Sequence, residues 1–213
     1  MEIAIIGAGN VGSALGKGWA RTGHRISYGV SDTGDSKYRA RTEAIKVGSV
    51  SEVVEEVSVV VLAVPFASLE AVLASAGDLS GRMVIDVTNP LRMGSKGLEL
   101  SMGFSQSAGE YVASLAPRAS VFKTLNQVGY ELMENTTGYP VKPIMFVAGD
   151  DELRKPTVME LVSDLGFDAV DAGGLAASRL LEPFGTLWIH LAVNRKLGRD
   201  NAFAYLRHGR TIL

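Results

Sequence analysis

A glycine-rich turn between an apolar strand and a helical pattern, all within the first two dozen residues, limits what this chain can fold into. Residues 3–6 are apolar without interruption, which favours a parallel strand covered on both faces. Residues 7–12 read Gly-Ala-Gly-Asn-Val-Gly, and the apolar positions that follow recur at helical spacing as far as Gly23. A strand, a GxGxxG turn and a helix in that order predict a Rossmann-type dinucleotide-binding fold.

Each glycine of this turn has a separate predicted role. Gly7 allows the tight turn out of the strand, Gly9 lets backbone amides approach a pyrophosphate, and Gly12 lets the helix lie against the strand. The phosphates would rest on the positive end of the helix. The alternative is an ordinary glycine-rich turn. We predict that the whole turn contacts the cofactor, through Gly7, Ala8, Gly9, Asn10, Val11 and Gly12.

The loop after the predicted second strand, residues 24–29, leaves the choice between NAD and NADP open. Asp32 lies about 20 residues past the glycine motif, the spacing at which a carboxylate binds the ribose hydroxyls of NAD. Ser31, Lys37 and Arg39 instead favour a 2′-phosphate, although the two basic residues could also belong to a solvated helix face. We predict Ser31, Asp32 and Lys37 as cofactor contacts.

Three later strands of the predicted sheet each end in a turn with polar or proline residues. The strands are residues 58–64, 83–87 and 120–123. In doubly wound sheets, ligands bind in the crevice outside the carboxyl ends of the strands. The sequence therefore predicts a nicotinamide pocket at that edge, formed by Ala63, Val64, Pro65, Asn89 and Asn126.

The remaining pattern completes an α/β fold with a doubly wound, mostly parallel sheet. Residues 1–172 are predicted as the NAD(P)-binding Rossmann-like domain, and residues 173–213 as a C-terminal helical extension packed on the same core. A wide apolar face over residues 176–196 is typical of core packing or of a subunit interface, and we expect a homodimer. Further expected elements are a short third strand (47–50), a helix with Ser51 as its N-cap, a loop (91–104), a helix (105–115), two strands (144–148 and 167–170) and, between them, a helix ending at residue 165.

Composition excludes several other classes of protein. The chain has no cysteine, so disulfides, thiol nucleophiles and cysteine-ligated metal sites are ruled out. The net charge of −2, with interspersed signs, does not indicate a surface for nucleic acid or for anionic membranes. No apolar run approaches the roughly 18 residues that a membrane span needs. Because the first strand begins at residue 3, we expect no signal peptide and a cytoplasmic protein.

With these motifs placed, the chain resembles the coenzyme F420-dependent NADP oxidoreductase family, including its bacterial branch of predicted dinucleotide-binding enzymes. The resemblance covers essentially the whole chain. It implies that the phosphates lie on residues 8–11, the ribose phosphate near Ser31 and Lys37, and the nicotinamide against residues 63–65, Asn89 and Asn126. The motifs that carry it are residues 7–12, 62–65, 86–91, 123–126, 146–151, 164–167 and 180–183.

The resemblance implies hydride transfer between C4 of the nicotinamide of NADP, with NAD possible, and a deazaflavin (F420) or flavin-like acceptor. Family members commonly carry an arginine after the second strand, where this chain has Ser31. No catalytic acid or base is predicted, because His24, His190 and His208 read as structural or surface residues. Lys123 is not read as the lysine of hydroxyacid dehydrogenases, since those enzymes need a long helical second domain. The alternatives are a reductase of a small carbonyl or imine and a binding module that senses NAD(P).

Overall fold

The computed structural model describes residues 1–35, 45–95 and 97–208. The strands of the main sheet are β1 (Glu2–Ile6), β2 (Arg25–Gly29), β3 (Ile45–Gly48), β4 (Val59–Leu62), β5 (Met83–Asp86), β8 (Ser120–Lys123), β9 (Ile144–Gly149) and β10 (Asp168–Asp171). A separate hairpin consists of β6 (Leu91–Gly94) and β7 (Gly97–Leu100). The helices are α1 (Asn10–Arg21), α2 (Val50–Glu55), α3 (Leu69–Ala76), α4 (Ala108–Leu115), α5 (Tyr130–Glu134), α6 (Lys155–Asp164) and α7 (Ser178–Ile189).

The main sheet has the strand order β3-β2-β1-β4-β5-β8-β9-β10. The first six strands are parallel, β9 runs antiparallel to β8, and β10 runs parallel to β9. The predicted Rossmann-type, mostly parallel fold is thereby confirmed. Chain connections leave in opposite directions on the two sides of β1, so the ligand crevice is expected at its carboxyl end.

Two hydrophobic cores cover the faces of the sheet. Ile3 and Ile5 point into one core, where Trp19 of α1 donates its indole N–H to the carbonyl oxygen of Leu161 at 2.8 Å. Ala4 and Ile6 point into the other core. Burial on both faces explains why residues 3–6 of the first strand are all apolar.

Residues 91–104, predicted as a loop, contain the hairpin. Leu91 pairs with Leu100 and Gly94 with Gly97, and Gly97 has φ +111° just after the turn. The prediction was wrong because strands of four residues that are partly exposed carry too little periodicity to be recognised.

Several predicted helix boundaries also move. Ser49, not Ser51, is the N-cap of α2: its hydroxyl accepts from the Glu52 amide at 3.4 Å, and the Glu52 carboxylate accepts from the Ser49 amide at 2.8 Å. This capping box makes Val50 helical instead of the end of a strand. Ser107 likewise caps α4, which begins later than predicted. The long helix predicted over residues 176–196 is divided into a 3-10 turn (Leu175–Ala177), α7 and a π-helical turn (His190–Asn194), and α5 was not predicted.

Candidate active site

The glycine turn lies between the carboxyl end of β1 and the first turn of α1. Gly7 has φ +98°, and a Cβ at this position would lie 2.4 Å from the carbonyl oxygen of Ala63. A Cβ on Gly12 would lie 2.0 Å from the carbonyl oxygen of Gly7. Gly9 is the exposed N-cap of α1, and no atom of the described residues lies within 4 Å of its Cβ position. The fold therefore requires Gly7 and Gly12, whereas Gly9 borders open space at the positive end of a helix.

A cleft of about 410 Å³ opens in front of this turn. Its volume falls within the range of small-molecule sites. Five of the predicted contacts line it: Gly7, Ala8, Ser31, Val64 and Pro65. The other walls come from the ends of β1 and β2, the start of α2 and one side of α3, through Ile6, Gly29, Val30, Val50, Ser68, Ala71, Val72 and Ser75.

The loop after β2 brings Ser31, and not Asp32, to the cleft. One carboxylate oxygen of Asp32 accepts a hydrogen bond from the amide of Gly34 at 2.9 Å, which closes an Asx turn within the loop itself. Ser31 and Asp32 are both exposed. Lys37 and Arg39 lie outside the described residues.

Asn89 and Asn126, the predicted polar contacts of the nicotinamide, are bonded to each other. The Asn126 amide group donates to the side-chain oxygen of Asn89 at 3.0 Å and to the Leu181 carbonyl oxygen at 3.1 Å. Its own side-chain oxygen accepts from Gln127 at 3.2 Å. A Cβ on Gly185 would lie 2.5 Å from the backbone oxygen of Asn126, so α7 packs tightly over this pair. Asn126 is buried and Asn89 half-buried, so Asn89 is the more accessible of the two.

A buried charged cluster lies next to this pair of amides. Asp86 and Lys123 are directly paired at the ends of β5 and β8, with 2.8 Å between Nζ and Oδ2. The Lys123 ammonium also donates to the carbonyl oxygen of Thr88 at 2.5 Å and lies 3.1 Å from Oε1 of Glu182. All three charged side chains are at most 1% exposed. The ammonium thus has three acceptors in the buried cluster.

The Glu182 carboxylate joins this cluster to the beginning of α4. It accepts hydrogen bonds from the amides of Ala108 at 3.0 Å and Gly109 at 3.1 Å. Burial raises the pKa of Glu182, while the adjacent ammonium of Lys123 opposes that rise. The positive end of α4 stabilises the same carboxylate.

The sequence pattern does not predict a role for Asp86 or Glu182, although both carry a recognisable signal. Asp86 ends an apolar strand, and Glu182 is a charged residue inside the apolar sequence 180–184. Charged side chains in such positions are almost never buried unless they are paired. Their partner, Lys123, could have been sought at the end of a neighbouring strand.

The three histidines lie away from the cleft or have structural contacts. His24 precedes β2 at the opposite edge of the sheet, with Nε2 2.9 Å from Oδ2 of Asp164. His190 follows α7, with Nδ1 3.4 Å from the amide nitrogen of Asn194. His208 is exposed. The structural or surface roles of the three histidines stay a prediction.

A second cavity, of about 460 Å³, lies beside Tyr111 of α4. The ring of Phe66, directly after Pro65, lies 6.1 Å from the ring of Tyr111. Tyr111 donates its hydroxyl to Glu70, and this hydrogen bond raises the pKa of the tyrosine. The cavity is lined by Met102, Ser105, Gln106, Ser107, Glu110, Tyr111, Ser114 and Arg179.

The family model described as NADP oxidoreductase, coenzyme F420-dependent, matches residues 2–90. This range contains the glycine turn, the cleft and Asn89. The resemblance predicted from the motifs is therefore confirmed. Over residues 2–90, the chain is similar to the coenzyme F420-dependent NADP oxidoreductases.

Individual relatives agree with that result. The F420-dependent NADP reductase of Methanocaldococcus jannaschii is 28% identical over 67% of this chain and 65% of its own length. The metalloreductase STEAP3 of Rattus norvegicus is 25% identical over 85% of this chain but only 36% of its own length. The crystal structure of a proposed F420-dependent NADP-reductase from Arthrobacter sp. FB24 superimposes with a TM-score of 0.88, at 27% identity, over 97% of this chain and 100% of the other.

The chain thus spans less than two thirds of the length of the metalloreductase and of the M. jannaschii reductase. The family model, the M. jannaschii protein and the Arthrobacter protein are all described as NADP oxidoreductases or reductases, which is the predicted enzyme class. In residues 1–35, 45–95 and 97–208, no helix combines the length and the apolar character that crossing a membrane requires.

Proposed function

We propose that this coenzyme F420-dependent NADP oxidoreductase relative binds NADP(H) along the carboxyl edge of the sheet and transfers a hydride between nicotinamide C4 and a deazaflavin or flavin-like acceptor. The observation that carries the proposal is the cleft that begins at the glycine turn and extends to Val64 and Pro65. The open approach at Gly9 fits a pyrophosphate on the first turn of α1.

The polar groups at the nicotinamide end are suited to positioning a ring. Asn89 is half-buried and already oriented by Asn126. The hydroxyl groups of Thr88 and Thr124, at the ends of β5 and β8, are buried without a hydrogen-bond partner in the described part of the chain. The partly exposed side chain of Asn89 fits a carboxamide, because both groups donate and accept hydrogen bonds.

The chemistry that this arrangement favours needs alignment more than proton transfer. The ammonium and the carboxylates of the buried cluster are bonded to one another and to backbone groups. A reductase of small carbonyls or imines would need a proton donor at the reacting atom. Hydride transfer between two stacked rings gains its rate from proximity and orientation. We place part of the second ligand in the cavity beside Tyr111, because the ring of Phe66, the residue after Pro65, lies against the ring of Tyr111.

We propose NADP in preference to NAD because Ser31 lines the cleft, whereas the carboxylate of Asp32 is bonded within its own loop. A carboxylate facing the ribose would repel a 2′-phosphate, and a serine hydroxyl can donate to one. The predicted contribution of Lys37 remains part of the proposal.

Stopped-flow spectroscopy tests the reaction. Protein loaded with NADPH is mixed with F420, FMN or FAD, and the loss of nicotinamide absorbance is compared with the loss of acceptor absorbance. We expect equal amounts of NADPH oxidised and acceptor reduced with at least one acceptor. Tight NADPH binding without any absorbance change would overturn hydride transfer to these acceptors and favour the NAD(P)-sensing module.

A thermal-shift comparison tests the cofactor. A ligand that binds only the folded protein raises its stability by RT ln(1 + [L]/Kd), so the tighter cofactor gives the larger shift at equal concentration. We expect the larger shift with NADPH. A larger shift with NADH would contradict the preference and make Asp32 a ribose ligand.

The homodimer is also part of the proposal. Leu180 and Leu187 lie on one face of α7 and are 72% and 45% exposed, and Met93 of the adjacent hairpin is 76% exposed. A patch of large apolar side chains is typical of an interaction surface. Light scattering after gel filtration should give twice the monomer mass, and L187E should reduce it. A monomeric wild type would contradict this.

The cytoplasmic location stays a prediction, testable by fractionation.

A further inference from the structure

Glu182 fastens α7 to two other elements through one carboxylate. Oε1 lies 3.1 Å from the Lys123 ammonium and accepts from the Gly109 amide, and Oε2 accepts from the Ala108 amide. The same ammonium holds the carbonyl oxygen of Thr88, while the Thr88 amide donates to Asp86 at 2.9 Å. The backbone amide and the carbonyl oxygen of Thr88, in the turn after β5, are therefore both hydrogen-bonded to the buried cluster.

The neighbouring residue of α7 reaches the turn after β8. The carbonyl oxygen of Leu181 accepts from Asn126, and Asn126 in turn holds Asn89. Between Lys123 and Asn126, the fully buried Leu125 has φ +58°, in the left-handed region that residues other than glycine rarely adopt. Such a conformation persists only where the surrounding structure holds it, and it is typical of functional sites.

We propose that Glu182 is a positioning residue that holds the turns after β5 and β8 in the geometry that receives the nicotinamide ring. The inference rests on the proposed function, because it assumes that the nicotinamide binds at these turns. Glu182 does not itself contact the cofactor. It acts through the ammonium of Lys123 and through the position of α7 over Asn126.

Glutamine has the shape of glutamate but cannot replace its bonds. The carboxylate accepts from three donors with its two oxygens, whereas a glutamine amide has one oxygen and one NH₂ group. In E182Q, the NH₂ group would replace either Oε1, which faces the Lys123 ammonium and the Gly109 amide, or Oε2, which faces the Ala108 amide, and all three of these groups are donors. The side chain would have to turn away, which releases the turns that it holds.

The experiment compares two ligands on two variants. 2′,5′-ADP carries the adenosine half of NADP and cannot reach the turns after β5 and β8, whereas NADPH reaches them with its nicotinamide. In E182Q, we expect the Kd of NADPH to rise by about tenfold, as when one hydrogen bond between the displaced turns and the nicotinamide is lost. The Kd of 2′,5′-ADP should change by less than about twofold.

E152Q is the matched control. Glu152 also accepts from a buried lysine, with 2.6 Å between its Oε1 and Nζ of Lys155, and this bond reaches neither the two turns nor α7. We expect E152Q to keep the wild-type ratio of the two Kd values even if its melting temperature falls. If E182Q does not fold, E182D is measured instead, because the shorter carboxylate cannot reach both α4 and Lys123.

Each outcome decides the inference. An unchanged ratio in E182Q, or an equal loss of both ligands, would overturn the positioning role while the proposed function stands. If the wild type binds 2′,5′-ADP as tightly as NADPH, the nicotinamide gains nothing at these turns, and the proposed placement of the cofactor fails. A selective loss of NADPH in E182Q, with a slower hydride step at saturating NADPH, supports the role.

Discussion

Replacing two glycines of the same turn by alanine should separate the stability of the fold from cofactor binding. In G12A, the new Cβ would lie 2.0 Å from the carbonyl oxygen of Gly7, and real Cβ contacts essentially never fall below 3.0 Å. The start of α1 must therefore move away from β1 by at least 1.0 Å. The clashing atom is backbone and cannot swing aside.

The magnitude follows from two opposing effects. Overpacking of this kind costs about 1–3 kcal/mol, and a rigid backbone contact favours the upper part of that range. Alanine is a better helix former than glycine by about 1 kcal/mol, which offsets part of the loss in G12A. A net destabilisation of about 2 kcal/mol should lower the Tm of a domain this size by roughly 4–8 °C.

G9A should behave in the opposite way. The Cβ position of Gly9 is open and its backbone is extended, with φ −74° and ψ −163°, so alanine fits without strain. The poorer N-cap costs at most about 1 kcal/mol. A methyl group there would occupy the approach of the pyrophosphate, so the affinity for NADPH should fall by about tenfold or more.

Thermal melts followed by circular dichroism without ligand, and NADPH titrations followed by fluorescence, measure the two effects separately. G12A should melt well below G9A. G9A should show a large rise in the Kd of NADPH and only a small fall in Tm. Wild-type stability in G12A would refute the claim that Gly12 is required for packing. Wild-type NADPH affinity in G9A would refute the placement of the pyrophosphate at this turn.

Two further predictions concern charged residues. In K123M, two buried carboxylates lose their cation, and removing one member of a buried ion pair typically costs about 3–5 kcal/mol; a urea unfolding midpoint equal to that of the wild type would contradict a stabilising role for Lys123. Hydrogen bonds, first from the Arg179 guanidinium and then from the hydroxyl of Ser107, hold the pKa of Glu110 below its usual value of 4.5. The stability that this carboxylate contributes is therefore present above pH 4.5 and lost as the pH falls through its lowered pKa. The Tm of the wild type should fall more steeply on acidification than that of E110Q, and parallel pH profiles would exclude this contribution.

Much of the fold could be predicted because its signals are local. The apolar strand and the glycine turn are continuous in the sequence, so their order alone indicates a dinucleotide-binding fold. The apolar strands around Val60 and Ile85 were also recognisable, since strands buried on both faces have no polar alternation to confuse the pattern. The predicted meeting of Gly7, Ser31 and Pro65 at one cleft agrees with the structure, because all three follow parallel strands.

The glycine turn at the carboxyl end of a central strand was determined by the sequence itself, since residues 3–12 are adjacent and the order of strand, turn and helix is a local signal. Only the tertiary structure decided which side chains are free to meet a ligand. Asn126 looks like an exposed polar residue in its turn, yet it is buried and bonded to α7, and Lys123 finds Glu182 only when α7 crosses the strand ends. Such partners lie some fifty to sixty positions apart in the chain. The physical reason is that the burial and pairing of polar groups depend on how helices pack against the sheet. The spacing of apolar residues along the chain does not predict that packing.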